Sequence, residues 1–408
     1  MGDTADLVTT DYRGGILLAG GGTDNDDAMR WLLERAAGGD VVIIRASGSD
    51  GYNDYLFEEL GVNVHSVESI RFDDISAATN AYVIRRIREA EVLFIAGGDQ
   101  YDYYELWKDN PIEDAINYLI NEKGITVGGT SAGMAILGNA YYTPSAGSLS
   151  SAQALQNPFH VNVDILGKDD FIDNPYLPNV VTDTHYDQRE RAGRHFTFLA
   201  RLVHDFGERS FGIACNESTA VAIEQNGTGR VFGEWPEYDD FAYFLLSNCQ
   251  DEIAPEIIEA GTPLTWNRGH AAVKVYRVPG TIAGNHFFNL NDWQTGNGGV
   301  WQNWYVNNGQ FAQIDADNGD CSAVINTTTP VFEQQDIQVS PNPFSRSLVI
   351  RQQAISTEKT NIRLLNLWGQ LLLEQPFTTT STTLELQDLP AGSYWLVVGE
   401  QRLKVQKL

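Results

Sequence analysis

The first half of the chain alternates unbroken apolar runs with segments of helical periodicity. The runs that predict buried strands cover residues 15–20, 41–44, 62–64, 91–96 and 125–128. The segments that predict helices cover residues 24–37, 53–60, 77–90 and 111–122. Apolar strands without alternation, separated by helices, are typical of a parallel sheet covered on both faces. The pattern therefore predicts an α/β fold with one doubly wound sheet in a three-layer α/β/α sandwich.

From about residue 211 the pattern becomes richer in strands. Two strands are predicted at 211–215 and 219–223. Residues 262–330 are rich in Asn, Gly, Trp and Thr, which is typical of short strands and loops that extend the first domain. A linker is predicted near 325–336, where Thr327-Thr328-Thr329-Pro330 interrupts the chain.

After this linker, short alternating segments are separated by turn signals. They cover residues 347–350, 362–366, 384–386, 394–398 and 403–405. Several short strands at this spacing predict a small all-β Ig-like sandwich. The predicted domains are therefore 1–330, with a core at about 12–290 and a β-rich extension, and 331–408.

The net charge of −27 is unevenly distributed along the chain. Residues 336–408 carry seven Lys/Arg and six Asp/Glu, so the first 335 residues carry −28. Such a surface repels phosphate, which excludes a nucleic-acid binder, and it attracts cationic substrates, although solubility alone also explains it. No apolar run approaches the roughly 20 residues that a membrane helix needs. The residues that follow Met1 lack the charged and apolar regions of a signal peptide.

The three cysteines, Cys215, Cys249 and Cys321, lack the CxxC spacing of zinc and redox sites. One disulfide is compatible with this count, with Cys249–Cys321 as one pairing, and a free thiol remains. No metal and no cofactor are expected.

The strongest chemical motif is Gly129-Thr130-Ser131-Ala132-Gly133, which has the form G-x-S-x-G. It follows an apolar strand and precedes a helical stretch. A sharp strand-to-helix turn of this kind exposes a serine hydroxyl and places free N–H groups beside it. The motif therefore predicts Ser131 as a nucleophile, whereas the plainer alternative is a Gly/Ser turn without chemistry. A similar glycine run, Gly20-Gly21-Gly22, predicts a tight turn after the first strand.

A serine nucleophile needs a base and a group that orients the base. His185 follows a strand-like run, and three arginines crowd the helix start just after it, where cations are unfavourable. This indicates a site for carboxylates, or alternatively a solvated basic face. Glu217 interrupts two apolar strands, where it either orients the histidine or is only a turn residue. The order Ser, His, Glu differs from the Ser, Asp/Glu, His order of α/β-hydrolases.

Four blocks of sequence together resemble the cyanophycinase family, serine peptidases that also include aspartyl dipeptidase. The resemblance covers about residues 12–290, and its blocks lie at 94–100, 128–133, 183–194 and 215–220. It implies a class I glutamine-amidotransferase-like α/β/α sandwich. It also implies a homodimer.

The resemblance implies a role for each matched residue. Ser131 would be the nucleophile, His185 the general base and then acid, and Glu217 the residue that orients His185. Backbone N–H groups near Gly98 and at Ala132 would form the oxyanion hole. The residues that match the family's substrate pocket are Gln100, Asp183, Arg189, Arg191 and Arg194.

The family's substrate, cyanophycin, is a poly-aspartate backbone with arginine attached to each side chain. The resemblance implies its hydrolysis to β-aspartyl-arginine dipeptides. Two residues depart from the family pattern: Thr184 replaces a common glutamine, and Asp187 replaces a usual serine. The alternatives are an exopeptidase or isopeptidase acting on other aspartyl peptides, and a non-catalytic surface binding protein on a peptidase fold.

The C-terminal segment from about residue 336 resembles the sorting domain of the type IX secretion system. The residues that carry the resemblance lie at 339–344, 367–370, 389–394 and 405–408. The resemblance implies recognition by the type IX machinery and a secreted or cell-surface protein. It also implies a signal peptide, which the residues after Met1 do not supply.

Overall fold

The computed structural model describes most of the chain. The described residues are 1–321 except 4, 8, 10, 164, 250, 251 and 320, and then 337–340, 345–352, 360–365, 371–377, 379, 381–387, 389, 390, 392–398 and 401–407. The chain divides into two compact units, Met1–Phe332 and Glu333–Leu408. The predicted linker at 325–336 lies outside the described residues, as do 341–344 and 367–370 of the sorting-domain resemblance.

The larger unit combines many strands with short helices. In chain order its strands are β1 (Gly15–Ala19), β2 (Asp40–Arg45), β3 (Ser66–Arg71), β4 (Val92–Ile95), β5 (Thr126–Thr130), β6 (Ala140–Thr143), β7 (Ile165–Lys168), β8 (Val180–Asp183), β9 (Phe211–Cys215), β10 (Ala220–Glu224), β11 (Thr228–Phe232), β12 (Phe241–Ser247), β13 (Val273–Pro279), β14 (His286–Asn289), β15 (Gly296–Asn297), β16 (Val300–Asn307) and β17 (Gln310–Asp315). Its α-helices are α1 (Asp26–Glu34), α2 (Tyr52–Asp54), α3 (Ala81–Glu89), α4 (Gln100–Trp107), α5 (Pro111–Tyr118), α6 (Ala132–Ala135), α7 (Ser151–Gln156) and α8 (Ala192–Phe206).

The first sheet has nine strands in the order β15-β14-β11-β10-β1-β5-β4-β2-β3. The five strands from β1 to β3 in this order are parallel, and β10 pairs antiparallel with β1. Successive residues of β1 face opposite cores. Leu17 packs in the cluster that includes Met29 and Leu32 of α1, whereas Ile16 and Leu18 lie in the cluster on the other face. Helices and apolar strands thus form an α/β fold, as predicted.

A second sheet of eight strands, ordered β17-β16-β13-β12-β9-β8-β6-β7, packs against the first. One of its faces, with Ile213 and Phe244, shares a buried cluster with Val127 of the first sheet. Its opposite face carries Val181, which packs in the cluster that includes Leu199 of α8. The prediction of a single doubly wound sheet is therefore wrong. Apolar runs show that strands exist, but they do not show which sheet a strand joins.

The strand predicted at 62–64 is also wrong, because these residues lie outside any strand and β3 begins at Ser66. In β3 the buried Val67 pairs with Val41, but polar residues interrupt the apolar run. The strand lies at the edge of the sheet, where such interruptions are tolerated.

Cys249 and Cys321 form a disulfide with 5.0 Å between their Cα atoms, and Cys215 is a buried free thiol. This is the pairing considered from the sequence, and it ties the end of the larger unit to the segment after β12.

Among its described residues, the smaller unit contains strands joined by turns and no helix. The strands are β18 (Ile337–Ser340), β19 (Ser347–Gln352), β20 (Thr360–Leu365), β21 (Leu371–Phe377), β22 (Ser381–Glu385), β23 (Gly392–Val398) and β24 (Gln401–Lys407). They form two antiparallel sheets, β18-β19-β22 and β21-β20-β23-β24. Leu348 and Leu384 of one sheet share a core with Ile362 and Leu396 of the other.

Candidate active site

Ser131 occupies a sharp turn between β5 and α6. Its backbone has φ 52° and ψ −115°, a region that residues with a Cβ rarely adopt and that costs on the order of 1–3 kcal/mol. The glycines on either side permit this turn. A Cβ on Gly129 would lie 2.5 Å from the backbone of Gly133, and one on Gly133 would lie 2.1 Å from the carbonyl oxygen of Ile95. The predicted strand–turn–helix context of the motif is confirmed.

His185 and Glu217 complete a chain of hydrogen bonds that starts at Ser131. The Oγ atom of Ser131 lies 2.7 Å from Nε2 of His185, and Nδ1 of His185 lies 2.6 Å from Oε1 of Glu217. An ionised carboxylate only accepts hydrogen bonds, so Nδ1–H donates to Glu217. Nε2 then accepts from the serine hydroxyl, which is the arrangement that a general base requires.

The three side chains follow strands of two different sheets. Ser131 follows β5 of the first sheet, whereas His185 and Glu217 follow β8 and β9 of the second. The loop at Gly20–Gly22, after β1, joins the two sets. The carbonyl of Gly20 accepts from the backbone N–H of His185 at 2.8 Å, and the carbonyl of Gly21 accepts from that of Ser218 at 3.0 Å.

The loop can approach this closely because it lacks side chains. A Cβ on Gly21 would lie 2.5 Å from the imidazole ring of His185, and one on Gly22 would lie 3.0 Å from Glu217. Both glycines have positive φ angles. The predicted turn at Gly20-Gly21-Gly22 therefore also brings the histidine and the carboxylate to the serine.

His185 is nearly fully buried. Burial lowers the pKa of its imidazole below the ordinary value, and the nearby Arg189 and Arg191 lower it further, while the hydrogen bond to Glu217 raises it. The lowering outweighs the raising. The imidazole is therefore neutral near pH 7, as a proton acceptor must be.

Ser131 and His185 line a cavity of about 380 Å³. The other lining residues are Gly21, Gly22, Arg45, Tyr52, Gly97, Thr130 and Arg189. The phenol of Tyr52 donates a hydrogen bond to Oδ2 of Asp24. Burial raises the pKa of Asp24. The hydrogen bond from Tyr52 lowers this pKa, but burial has the larger effect.

The two predicted oxyanion-hole residues differ in how close the structure places them to the serine. Ala132 is the first residue of α6 and follows Ser131 directly. A Cβ on Gly97 would lie 3.5 Å from Cβ of Ser131, which places the segment after β4 beside the serine side chain. Gly98 is one residue further along this segment, beside Tyr103 and Ser47.

The predicted substrate-binding residues do not all line the cavity. Arg189 lines the cavity with the serine and histidine. Asp183 and Arg194 are instead buried against each other, with 2.8 Å between Nε of Arg194 and Oδ2 of Asp183. Gln100 donates to the backbone carbonyl of Tyr142 at 3.3 Å. Their roles toward substrate remain predictions.

The two residues that depart from the family pattern make hydrogen bonds within the protein. The hydroxyl and carbonyl oxygens of Thr184 accept from Arg191 at 3.0 and 2.9 Å. The carboxylate of Asp187 accepts from Asn216 at 3.0 Å and from the phenol of Tyr243 at 2.9 Å. Asn216 precedes Glu217, so Asp187 connects the segment after His185 to the turn that carries Glu217.

Asp183→Asn should destabilise the protein strongly. Burial by itself raises the pKa of Asp183, but Arg194 and Arg191 outweigh it and lower that pKa below its ordinary value. Asparagine would leave the buried guanidinium of Arg194 without a counter-charge, at a cost of about 3–5 kcal/mol in the free energy of unfolding.

Urea unfolding followed by tryptophan fluorescence measures this loss in the Asp183→Asn protein. The matched control is Asp73→Asn, in the exposed pair with Arg71, which should unfold like the parent protein. An equal response of both variants would contradict the prediction.

Sequence reasoning missed two charged or polar residues that line the cavity, Arg45 and Tyr52. Arg45 ends the apolar run of β2, just as His185 follows the run of β8. Ligand-binding residues often lie at the carboxyl ends of parallel strands. The position of Arg45 at the end of a predicted strand could therefore have identified it as a cavity residue. Tyr52 begins the short helix α2 and carries no such signal.

A serine hydroxyl, a histidine and a carboxylate joined by hydrogen bonds define the site of a serine hydrolase. Residues 16–227, just over half of the chain, match peptidase family S51. The chain therefore belongs to this family of peptidases. Within the ranges that the structure describes, no three His, Cys, Asp or Glu side chains are grouped as metal ligands.

Several relatives of this chain are cyanophycinases. That of Synechococcus elongatus is 28% identical over 236 residues, which cover 54% of this chain and 66%, just under two thirds, of the relative. That of Geminocystis herdmanii is 27% identical over 237 residues, which cover 54% of this chain and 78% of the relative. A crystal structure of a peptidase from an acI-B1 actinobacterium covers 69% of this chain and 98% of its own, at 15% identity and a TM-score of 0.44.

The C-terminal segment has a separate relationship. Residues 338–408 match the secretion system C-terminal sorting domain, as the resemblance to the type IX signal implied. The protein is therefore secreted or displayed at the cell surface. Among the helices that the structure describes, none has the length and apolarity that a bilayer crossing requires.

Proposed function

We propose that the protein hydrolyses cyanophycin to β-aspartyl-arginine dipeptides through an acyl-enzyme on Ser131. The observation that carries the proposal is the hydrogen-bonded chain from Ser131 through His185 to Glu217. The likeness to cyanophycinases supports the choice of substrate.

In the proposed mechanism, Oγ of Ser131 attacks the scissile carbonyl carbon while Nε2 of His185 takes the hydroxyl proton. Glu217 stabilises the imidazolium that forms and keeps Nδ1 protonated. Backbone N–H groups at Ala132 and near Gly98 stabilise the negative oxygen of the tetrahedral intermediate. His185 then gives its proton to the leaving amine, and water hydrolyses the acyl-enzyme by the same two proton transfers in reverse order.

The charge of the chain suits this substrate. Cyanophycin carries a guanidinium on each repeat, and a protein of net charge −27 attracts such a polymer at long range. Arg189 in the cavity offers a positive group for a carboxylate of the same repeat. Gln100, Asp183, Arg191 and Arg194 complete the pocket that we propose for the substrate.

The proposed export route depends on the smaller unit. We propose that it is an Ig-like sandwich that the type IX machinery recognises. Its two antiparallel sheets with a common core support this assignment. The homodimer stays a prediction.

Incubating the purified protein with cyanophycin and analysing the products by mass spectrometry tests the substrate. We expect β-aspartyl-arginine as the main product, because the scissile bonds lie in the backbone and leave the isopeptide link intact. The same incubation without enzyme is the control. If other aspartyl peptides are cleaved while cyanophycin stays intact, the protein is instead an exopeptidase or isopeptidase of different specificity.

A further inference from the structure

Arg45 is a second guanidinium in the cavity that contains Ser131. It is the last residue of β2, which is parallel to β4 and lies on the far side of β4 from β5. Its side chain turns back over the loop that follows. Nε donates to the carbonyl of Ser47 at 2.5 Å, and Nη1 donates to the carbonyl of Ser49. These two bonds fix the plane of the guanidinium at the cavity wall.

The loop is built closely around this side chain. Gly48 has a φ of 90°, and a Cβ there would lie 2.1 Å from Nη2 of Arg45. The positive φ favours glycine, and a side chain at this position would displace the guanidinium from where it lies. The position of the guanidinium is therefore set before any ligand binds, which lowers the entropy lost on binding.

Neither Arg45 nor Arg189 pairs with a carboxylate of the described residues, although the chain has twice as many acidic as basic residues. Asp24 accepts a hydrogen bond from the phenol of Tyr52, another residue of the cavity lining, and forms no ion pair with either arginine among the described residues. Unpaired guanidinium groups in a cavity favour an anionic ligand, because each offers planar N–H pairs that match a carboxylate.

We propose that Arg45 acts with Arg189 to bind a free carboxylate of the substrate beside the scissile bond, so that the enzyme selects peptides with this group. The inference rests on the proposed function, since it places substrate in the cavity of Ser131. In cyanophycin the group would be the α-carboxylate of arginine, whose amino group is joined to aspartate. Arg45 is then a specificity-determining residue that acts on substrate binding.

The test compares Arg45→Gln with the parent on two forms of a short cyanophycin fragment. One form has free arginine carboxylates, and in the other they are converted to amides. For the free form, the variant should raise KM about tenfold or more with little change in kcat, since a charge-assisted hydrogen bond is lost. For the amide form, variant and parent should behave alike. Arg45→Lys should restore part of the affinity, because it keeps the charge without the planar geometry.

The matched control is Arg85→Gln, which removes one exposed positive charge on α3, outside the cavity. It should leave both forms of the fragment unaffected. An equal loss on the free and amide forms would show that Arg45 only supports the loop, and an unchanged KM for the free form would also overturn the proposal.

Binding separates this inference from the proposed function. In a Ser131→Ala background, calorimetry measures affinity for both forms without turnover. In one outcome, the parent cleaves neither form, but the Ser131→Ala protein binds the free form more tightly than the amide form, and Arg45→Gln removes this difference. The proposed function would then be wrong, whereas the carboxylate site would be supported. If neither form binds, the carboxylate site is overturned.

Discussion

Ser131→Ala should reduce kcat for peptide hydrolysis by about 10⁴-fold or more while leaving the fold intact. The expected loss is large because the variant has no hydroxyl to form the acyl-enzyme that we propose. Alanine keeps the Cβ atom, so the strained φ of 52° is unchanged and the turn between β5 and α6 should persist. The variant therefore separates chemistry from folding.

Two measurements check this result. Steady-state kinetics gives kcat, and a serine-directed fluorophosphonate should label the parent but not the variant, with the adduct located at Ser131 by mass spectrometry. Ser145→Ala, at an exposed serine outside the cavity lining, is the matched control and should retain full activity and labelling. Parent-like turnover by the Ser131→Ala protein, or parent protein that reacts at another residue, would overturn the assignment of the nucleophile.

Glu217→Gln should lower kcat by about 10³- to 10⁴-fold and shift the pH dependence of kcat/KM. Glutamine no longer requires Nδ1 of His185 to carry the proton, so the imidazole loses the orientation that a base needs. In the parent, burial lowers the pKa of His185, and activity should rise with pH through a midpoint below the ordinary value of about 6.5. Glu217 raises that pKa, so its removal should move the midpoint to still lower pH.

The pH profile distinguishes this role from a merely structural one. Glu190→Gln is the matched control, since Glu190 is an exposed carboxylate five residues after His185. It should keep the parent's kcat and midpoint. A Glu217→Gln protein with unchanged kcat, or with its midpoint at higher pH, would show that Glu217 does not orient His185.

Local sequence patterns were sufficient for the elements around the nucleophile. The apolar run before Gly129 predicted β5, and the two glycines around Ser131 predicted the sharp turn that the backbone adopts. The same reasoning placed His185 after a buried strand and Glu217 at a break between two strands. These predictions depended on neighbours within a few residues, where backbone conformation and side-chain size act directly.

The amphipathic helices were also predicted from local patterns. Errors occurred at helix ends and where tertiary packing contributes more to helix stability than the periodicity of the sequence. The segment 111–122 is a helix to Tyr118 and continues as a π-helical turn over Leu119–Lys123. Helix α4 was not predicted, because its aromatic-rich sequence has a weak helical pattern. Its Tyr103 and Trp107 are fully buried, so tertiary packing stabilises it more than its own periodicity does.

By itself, the sequence determined the α/β class, the turn that carries Ser131, the residues available as base and orienting carboxylate, and the C-terminal sorting domain from about residue 336. Only the tertiary structure decided that a second sheet brings His185 and Glu217 to the serine, that Asp183 and Arg194 pair with each other, and that Arg45 lines the cavity. The physical reason is the range of the interactions. Backbone turns and apolar periodicity act over a few residues, whereas sheet pairing and the approach of Gly20–Gly22 to the segments of His185 and Glu217 join residues far apart in the chain.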